Sequence, residues 1–151
     1  MTGGAAGSGL RGAKIGGMNE QRRLIETPVT VRWGDMDALG HVNNSRYATY
    51  IEETRLQWFA TIEGGWADET ASPVVAAMSI NFRSPIEWPC ELMVETYVER
   101  VGGSSLTLGF RMVSRDTPQK FYADGSTVIV WVGRASGRSV PLPERIRNAA
   151  S

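Results

Sequence analysis

Within a dozen residues, Trp33 to Asn44, the chain places two carboxylates (Asp35 and Asp37), its only histidine (His41) and two carboxamides (Asn43 and Asn44). Polar groups at this density belong on a loop held by rigid neighbours, where chemistry is usually sited. A carboxylate can attack an electrophilic carbon or take a proton from water. The first N–H groups of a helix have no intrahelical partner and suit a developing oxyanion. Asp37 lies just upstream of a predicted helix start at Asn44 or Ser45, so one loop carries both parts. The competing reading of Asp37 is a loop cap that binds nearby N–H groups. For Asp35 a structural, loop-ordering role is favoured; on an extended segment it would share a face with Asp37.

The elements that must hold this loop can be read from the residue pattern. Thr27 to Trp33 alternates apolar and polar residues and predicts a strand. Ser45 to Ile62 predicts a helix, with Tyr47, Tyr50, Ile51, Thr54, Trp58, Phe59 and Ile62 on one face at three- and four-residue spacing. Asn44 or Ser45 caps its first turn, and Gly64-Gly65 ends it. Four strands follow: Val74 to Arg83, Leu92 to Val101, Ser105 to Ser114 and Phe121 to Val132. Leu142 to Ala150 predicts a short helix opened by Pro143. A strand, one long helix and four strands joined by tight turns make an α+β domain, a mostly antiparallel sheet with a helix on its face.

Composition narrows the class further. The chain has 151 residues, enough for one domain with a sizeable core. Lys plus Arg and Asp plus Glu each number 16, which argues against a chain committed to nucleic acid. A single cysteine, Cys90, allows no intrachain disulfide and fits a reducing, cytoplasmic setting. No apolar run approaches the length of a membrane span, so no membrane partner is expected. One histidine and one cysteine cannot supply the usual nitrogen and sulfur metal ligands, and no metal is expected. No Gly-rich phosphate loop and no Gly-x-Ser-x-Gly elbow occurs. Residues 1–17, rich in glycine and alanine, read as a flexible leader, and residues 18–151 as the single domain.

Asp37, then Gly40-His41-Val42-Asn43-Asn44, then Tyr47 and Glu53-Thr54-Arg55, resemble the hotdog-fold acyl-CoA thioesterases, most of all the 4-hydroxybenzoyl-CoA thioesterase family. The resemblance spans roughly Thr27 to Val132. It implies a five-stranded sheet wrapped around the long helix, no cofactor, and a homo-oligomer, either a dimer or a tetramer of dimers, with active sites between subunits. It also implies that Asp37 is the catalytic carboxylate and that a backbone N–H near Asn44 is the oxyanion donor. His41 matches a histidine that handles water or the carbonyl in the related plant acyl-carrier-protein thioesterases. Those enzymes carry an asparagine two residues earlier, where this chain has Leu39, so a role tying the loop together competes.

Asn43 and Asn44 suit capping as well as substrate contact, and Tyr47 suits the acyl pocket or the core. Arg83 and Ser84 stand where the family commonly contacts pantetheine and nucleotide. Arg111, Arg115, Lys120 and Arg138 are further candidates for phosphate contacts, while the turn Gly102-Gly103-Ser104 lacks the basic residues of some relatives. Glu52 and Glu53, on the helix that bears the catalytic carboxylate in another hotdog group, read as solvated or ion-paired near Arg55. Cys90 reads as a small buried residue. Trp58, Phe59, Trp66 and Trp88 read first as core.

The expected activity is hydrolysis of a fatty or aromatic acyl-CoA. An acyl-carrier-protein thioesterase, an enoyl-thioester hydratase and a non-catalytic acyl-CoA binder are the alternatives. The hydratases place aspartate and histidine five apart with asparagine and proline between. Here they are four apart around Ala38-Leu39-Gly40, which speaks against that reading.

Overall fold

The computed structural model describes residues 21–151. The leader expected at residues 1–17 lies outside the described residues. Strand β1 (Arg23–Thr30) leads through a short 3-10 turn (Trp33–Asp35) and the polar loop into helix α1 (Asn44–Ala60). Strands β2 (Ala71–Phe82), β3 (Glu91–Val101), β4 (Ser105–Ser114) and β5 (Phe121–Gly133) follow, and α2 (Glu144–Ala150) closes the chain. The strands form one sheet in the order β1-β3-β4-β5-β2, and every neighbouring pair is antiparallel. With α1 on its inner face, this is the hotdog arrangement.

The helix buries the predicted face. Tyr47, Tyr50, Ile51, Thr54, Trp58, Phe59 and Ile62 are all buried, with Arg55 added to them. Burying a side chain such as Ile51 or Phe59 contributes about 1.5–3 kcal/mol, which holds the helix on the sheet. Alternation does the same in β3 and β4: Leu92, Val94 and Thr96, then Leu106, Leu108, Phe110 and Met112, turn inward. The core falls into two clusters. One gathers Tyr47, Tyr50 and Ile51 with Leu92, Val94, Phe110 and Met112 beneath the polar loop. The other gathers Trp58 and Phe59 with Leu106, Ile129, Trp131 and, from α2, Ile146.

Several boundaries differ from expectation. Strand β1 begins at Arg23 because its register with β3 continues to Arg23 opposite Tyr97, a pairing that polar side chains conceal. It stops at Thr30, and Trp33 is an exposed residue of the 3-10 turn rather than the end of a strand. Strand β2 begins at Ala71 and carries Pro73, which an edge strand tolerates. The cap of α1 is Asn43, not Asn44 or Ser45: its Oδ1 accepts from the Ser45 N–H at 3.0 Å. The helix already ends at Ala60, before Gly64-Gly65. Pro143 is the residue before α2 rather than its first turn. At Gly125 a Cβ would meet the Ser79 carbonyl oxygen at 2.0 Å, so β5 and β2 approach there as only glycine allows.

Candidate active site

The polar loop is a tight hairpin pinned by its main chain. The Asp37 N–H donates to the His41 carbonyl at 2.9 Å and the Gly40 N–H to the Asp37 carbonyl at 3.1 Å. Met36 and Val42 bridge antiparallel above this turn. Gly40 has φ +78°, a conformation that side chains rarely adopt. The Val42 N–H then bonds the Ile86 carbonyl at 2.8 Å, tying the loop to the segment between β2 and β3. The Asn43 N–H bonds the Asp35 carbonyl at 2.9 Å.

The two carboxylates are separated by this geometry. Asp35 is 1% exposed and points under the helix, not along a face shared with Asp37. It accepts from the Tyr50 hydroxyl at 2.7 Å, the Arg32 N–H at 3.1 Å and the Arg32 guanidinium at 3.0 Å, with Arg46 at 3.9 Å. Burial alone would raise its pKa. The Tyr50 hydrogen bond, with the Arg32 N–H and guanidinium, outweighs that and holds it below the ordinary aspartate value. Its own burial, and then the same contact with Asp35, push the Tyr50 phenol well up. Asp35 is the anchor of the loop to α1.

Asp37 is half-buried and lines a cavity of about 290 Å³. Its Oδ1 accepts the Leu39 N–H at 2.8 Å, the turn-capping bond anticipated for it. Among the described residues, no hydrogen bond engages Oδ2. The same cavity is lined by His41, Asn44, Tyr47, Arg83 and Ser84, so the structure brings together every predicted site residue except Asn43, which caps α1 beside it. Residues not anticipated also line it: Leu39, Val42, Phe82 and Pro85. Phe82 stands edge-on to Tyr47 with ring centroids 4.9 Å apart. Nothing local marks Phe82 as a site residue; its place follows from where β2 ends against the loop. Burial pushes the Tyr47 phenol up, offset in part by the Ile86 backbone.

His41 Nε2 lies 3.7 Å from Glu87 Oε1, a neighbour that no local pattern in the sequence marks. Arg83 is engaged with Asp124, its Nε 3.2 Å from Oδ1 and its Nη2 3.3 Å from Oδ2. The Ser84 hydroxyl donates to the Phe121 carbonyl at 2.7 Å. Both residues therefore also clamp the end of β2 to β5. The other basic candidates do not line this cavity: the Arg111 guanidinium sits over Phe121 and the Lys120 ammonium over Tyr122, with Arg115 and Arg138 elsewhere on the surface. Glu52 and Glu53 are exposed, and Glu52 lies 3.9 Å from Arg55. Cys90 is half-buried rather than buried, its Sγ 3.7 Å from the Tyr122 hydroxyl. Trp58 and Phe59 are core, whereas Trp88 is 49% exposed. Among the described residues, no group of three or more His, Cys, Asp or Glu side chains could hold a metal ion, and no helix is long and apolar enough to cross a membrane.

The five-stranded antiparallel sheet with its long helix is a fold that known proteins share. Residues 31–150 match the family model described as the thioesterase-like superfamily. The PA2801 protein of Pseudomonas aeruginosa superposes with a TM-score of 0.80 and 39% identity, covering 86% of this chain and 100% of that one. A Thermus thermophilus thioesterase, solved with coenzyme A and zinc, superposes with a TM-score of 0.72 and 33% identity over 85% of this chain and 92% of its own. The long-chain acyl-CoA thioesterase FadM of Escherichia coli is 23% identical over 132 residues, 82% of this chain and 94% of FadM. The chain belongs to the thioesterase-like superfamily and is an enzyme of the thioester-hydrolase class.

Proposed function

We propose that the protein hydrolyses a fatty or aromatic acyl-CoA to the free acid and coenzyme A, with Asp37 as its reacting carboxylate. The observation that carries this reading is the Asp37 side chain in a cavity shared with the first residue of α1 and with His41. Asp37 Oδ1 is anchored by Leu39, which leaves Oδ2 to act. Oδ2 either attacks the thioester carbon, giving an anhydride that water then opens, or removes a proton from the attacking water. In both routes the C–S bond breaks and the thiolate leaves as free coenzyme A after protonation. The Asn43 side chain and carbonyl take the Ser45 and Arg46 N–H groups. The Asn44 N–H, first in the helix, is the donor offered to the carbonyl oxygen. His41 supports the water or the carbonyl. Tyr47 and Phe82 wall the acyl group, and Arg83 and Ser84 flank the path of the pantetheine, with Asn43 holding the helix start in place.

The likeness to FadM and to the coenzyme A-bound Thermus protein supports acyl-CoA as the substrate class. A homo-oligomer completes the site in this reading. Edge strand β2 supports it: its outer edge is unpaired among the described residues, and Val74, Val75 and Phe82 are each more than 40% exposed along it. The test is free-thiol release from short, long and aromatic acyl-CoAs by the native protein and Asp37→Asn. Turnover that disappears in the variant supports the reading. No turnover of any thioester by the folded native protein turns it toward acyl-CoA binding or hydration.

A further inference from the structure

Between the two apolar clusters lies a small cavity that the proposed chemistry does not use. Ile51 and Arg55 of α1 line one side of it, and Thr96, Phe110 and Thr127 of the sheet line the other. Arg55 is 8% exposed, yet its Nη1 has no hydrogen-bond partner among the described residues. The Thr127 hydroxyl, 1% exposed, has none either. The carboxylate beside Arg55 is Glu52, 3.9 Å from Nη2 and itself largely exposed. Burial pulls the Arg55 pKa down, and Glu52 restores only part of it. Arg55 and Thr127 line one cavity, and each carries a polar atom, a guanidinium nitrogen and a hydroxyl, that folding has stripped of water and left unpaired among the described residues. The cavity measures about 10 Å³, room for one oxygen atom and no more.

We propose that Arg55 and Thr127 form a buried site for a single hydrogen-bond-accepting oxygen, which accepts from Arg55 Nη1 and pairs with the Thr127 hydroxyl. Two sources can deliver that chemistry. One is an immobilised water resident in the free protein. The other is an oxygen on the far end of the acyl group, a source that rests on the thioesterase reading. Its geometric basis is α1 itself: Tyr47 in the Asp37 cavity, Ile51 and Arg55 stand one turn apart on the buried face. The eight residue steps from Tyr47 to Arg55 span about 12 Å along the axis, a distance an acyl chain can bridge.

Two measurements decide. The first is a crystal structure of the free protein and of Thr127→Val at a resolution that shows ordered water. The second is kcat/KM for acyl-CoAs of equal length ending in methyl or in a hydroxyl, with native protein, Thr127→Val and Arg55→Met. The expected result is an ordered water on Arg55 Nη1 and Thr127 Oγ1 that is missing in Thr127→Val. With it and no preference between substrates, water is the occupant. A preference of tenfold or more for the oxygen-ended substrate, lost in Thr127→Val and in whatever Arg55→Met folds, makes the acyl end the occupant. A dry cavity with no preference, while methyl-ended substrates turn over normally, overturns the proposal. Absence of turnover with every thioester would instead remove the thioesterase reading, and the crystal structures would still decide the site.

Discussion

At one end of α1, Trp58 and Phe59 meet Trp66 and Trp131 in a dense aromatic packing, with Phe59 stacked on Trp66 at 5.4 Å and α2 closing over it through Ile146. At the other end, Tyr47 and Tyr50 meet a loop that buries a charged aspartate and leaves a cavity open beside a second one. The same helix is thus held by apolar burial at its C-terminal end and by a hydrogen-bonded carboxylate at its N-terminal end. Apolar burial is non-directional, so it fixes the helix without fixing its chemistry. The Asp35 network is directional, so it sets the orientation of the loop that carries Asp37.

Crossed substitutions at the two ends sharpen this division most. Asp37→Asn is expected to lower kcat by about 10²–10⁴-fold while the unfolding free energy from urea titration stays within about 0.5 kcal/mol of native. Trp131→Ala, at a residue 0% exposed, is expected to reverse the pattern. It should lose about 3–5 kcal/mol in urea titration and keep its kcat in the fraction that remains folded. If Trp131→Ala abolished kcat in folded protein, the two ends would be one functional unit and the division would fail.

Asp35→Asn is expected to touch both readouts, with a stability loss of about 1–3 kcal/mol and a fall in kcat as the loop loosens. Its acid dependence gives a second check. The folded Asp35 has a pKa below its unfolded value of about 3.9. Its contribution is therefore present above that pH and is lost as pH falls through the lower folded value. The native protein should lose stability more steeply than Asp35→Asn below about pH 4 in acid titrations followed by circular dichroism. Equal slopes would show that the buried carboxylate carries no linkage. The smallest expected effect is Asn43→Ala, which removes the α1 cap. It should cost about 0.5–2 kcal/mol and, because the cap sits beside the Asn44 N–H, raise KM or lower kcat modestly.

Periodicity makes the helix and most strands legible in the sequence. Tyr47 to Ile62 follow the helical repeat, and the burial of that face was legible from spacing alone. Strands β3 to β5 were legible from the alternation of Leu106, Leu108, Phe110 and Met112, from the apolar run Val128 to Val132, and from the glycine- and proline-containing turns that bound them. The loop has no period, so its residue types were readable but their directions were not. The loop-ordering role favoured for Asp35 was legible, but not its direction: the Tyr50 hydroxyl, fifteen residues on, and Arg32 hold it under the helix, away from Asp37. Asn43 and Asn44 compete as caps, and the extended backbone of Asn43 decides between them. Phe82 and Glu87 join the site through contacts across distant segments, for which a linear pattern carries no signal.

The hairpin from Met36 to Val42 is fastened almost wholly through peptide groups: Asp37 to His41, Gly40 to Asp37, and Val42 to Ile86. Main-chain fastening is indifferent to side-chain identity. Ala38 and Leu39, exposed at the tip, can therefore be exchanged without disturbing where Asp37 stands. Gly40 cannot, because of its backbone conformation. The loop is in this sense a mount with an interchangeable face. Descendants of this chain can vary what they recognise at the cavity mouth at little structural cost, and a laboratory library confined to positions 38 and 39 would sample new recognition while keeping the fold.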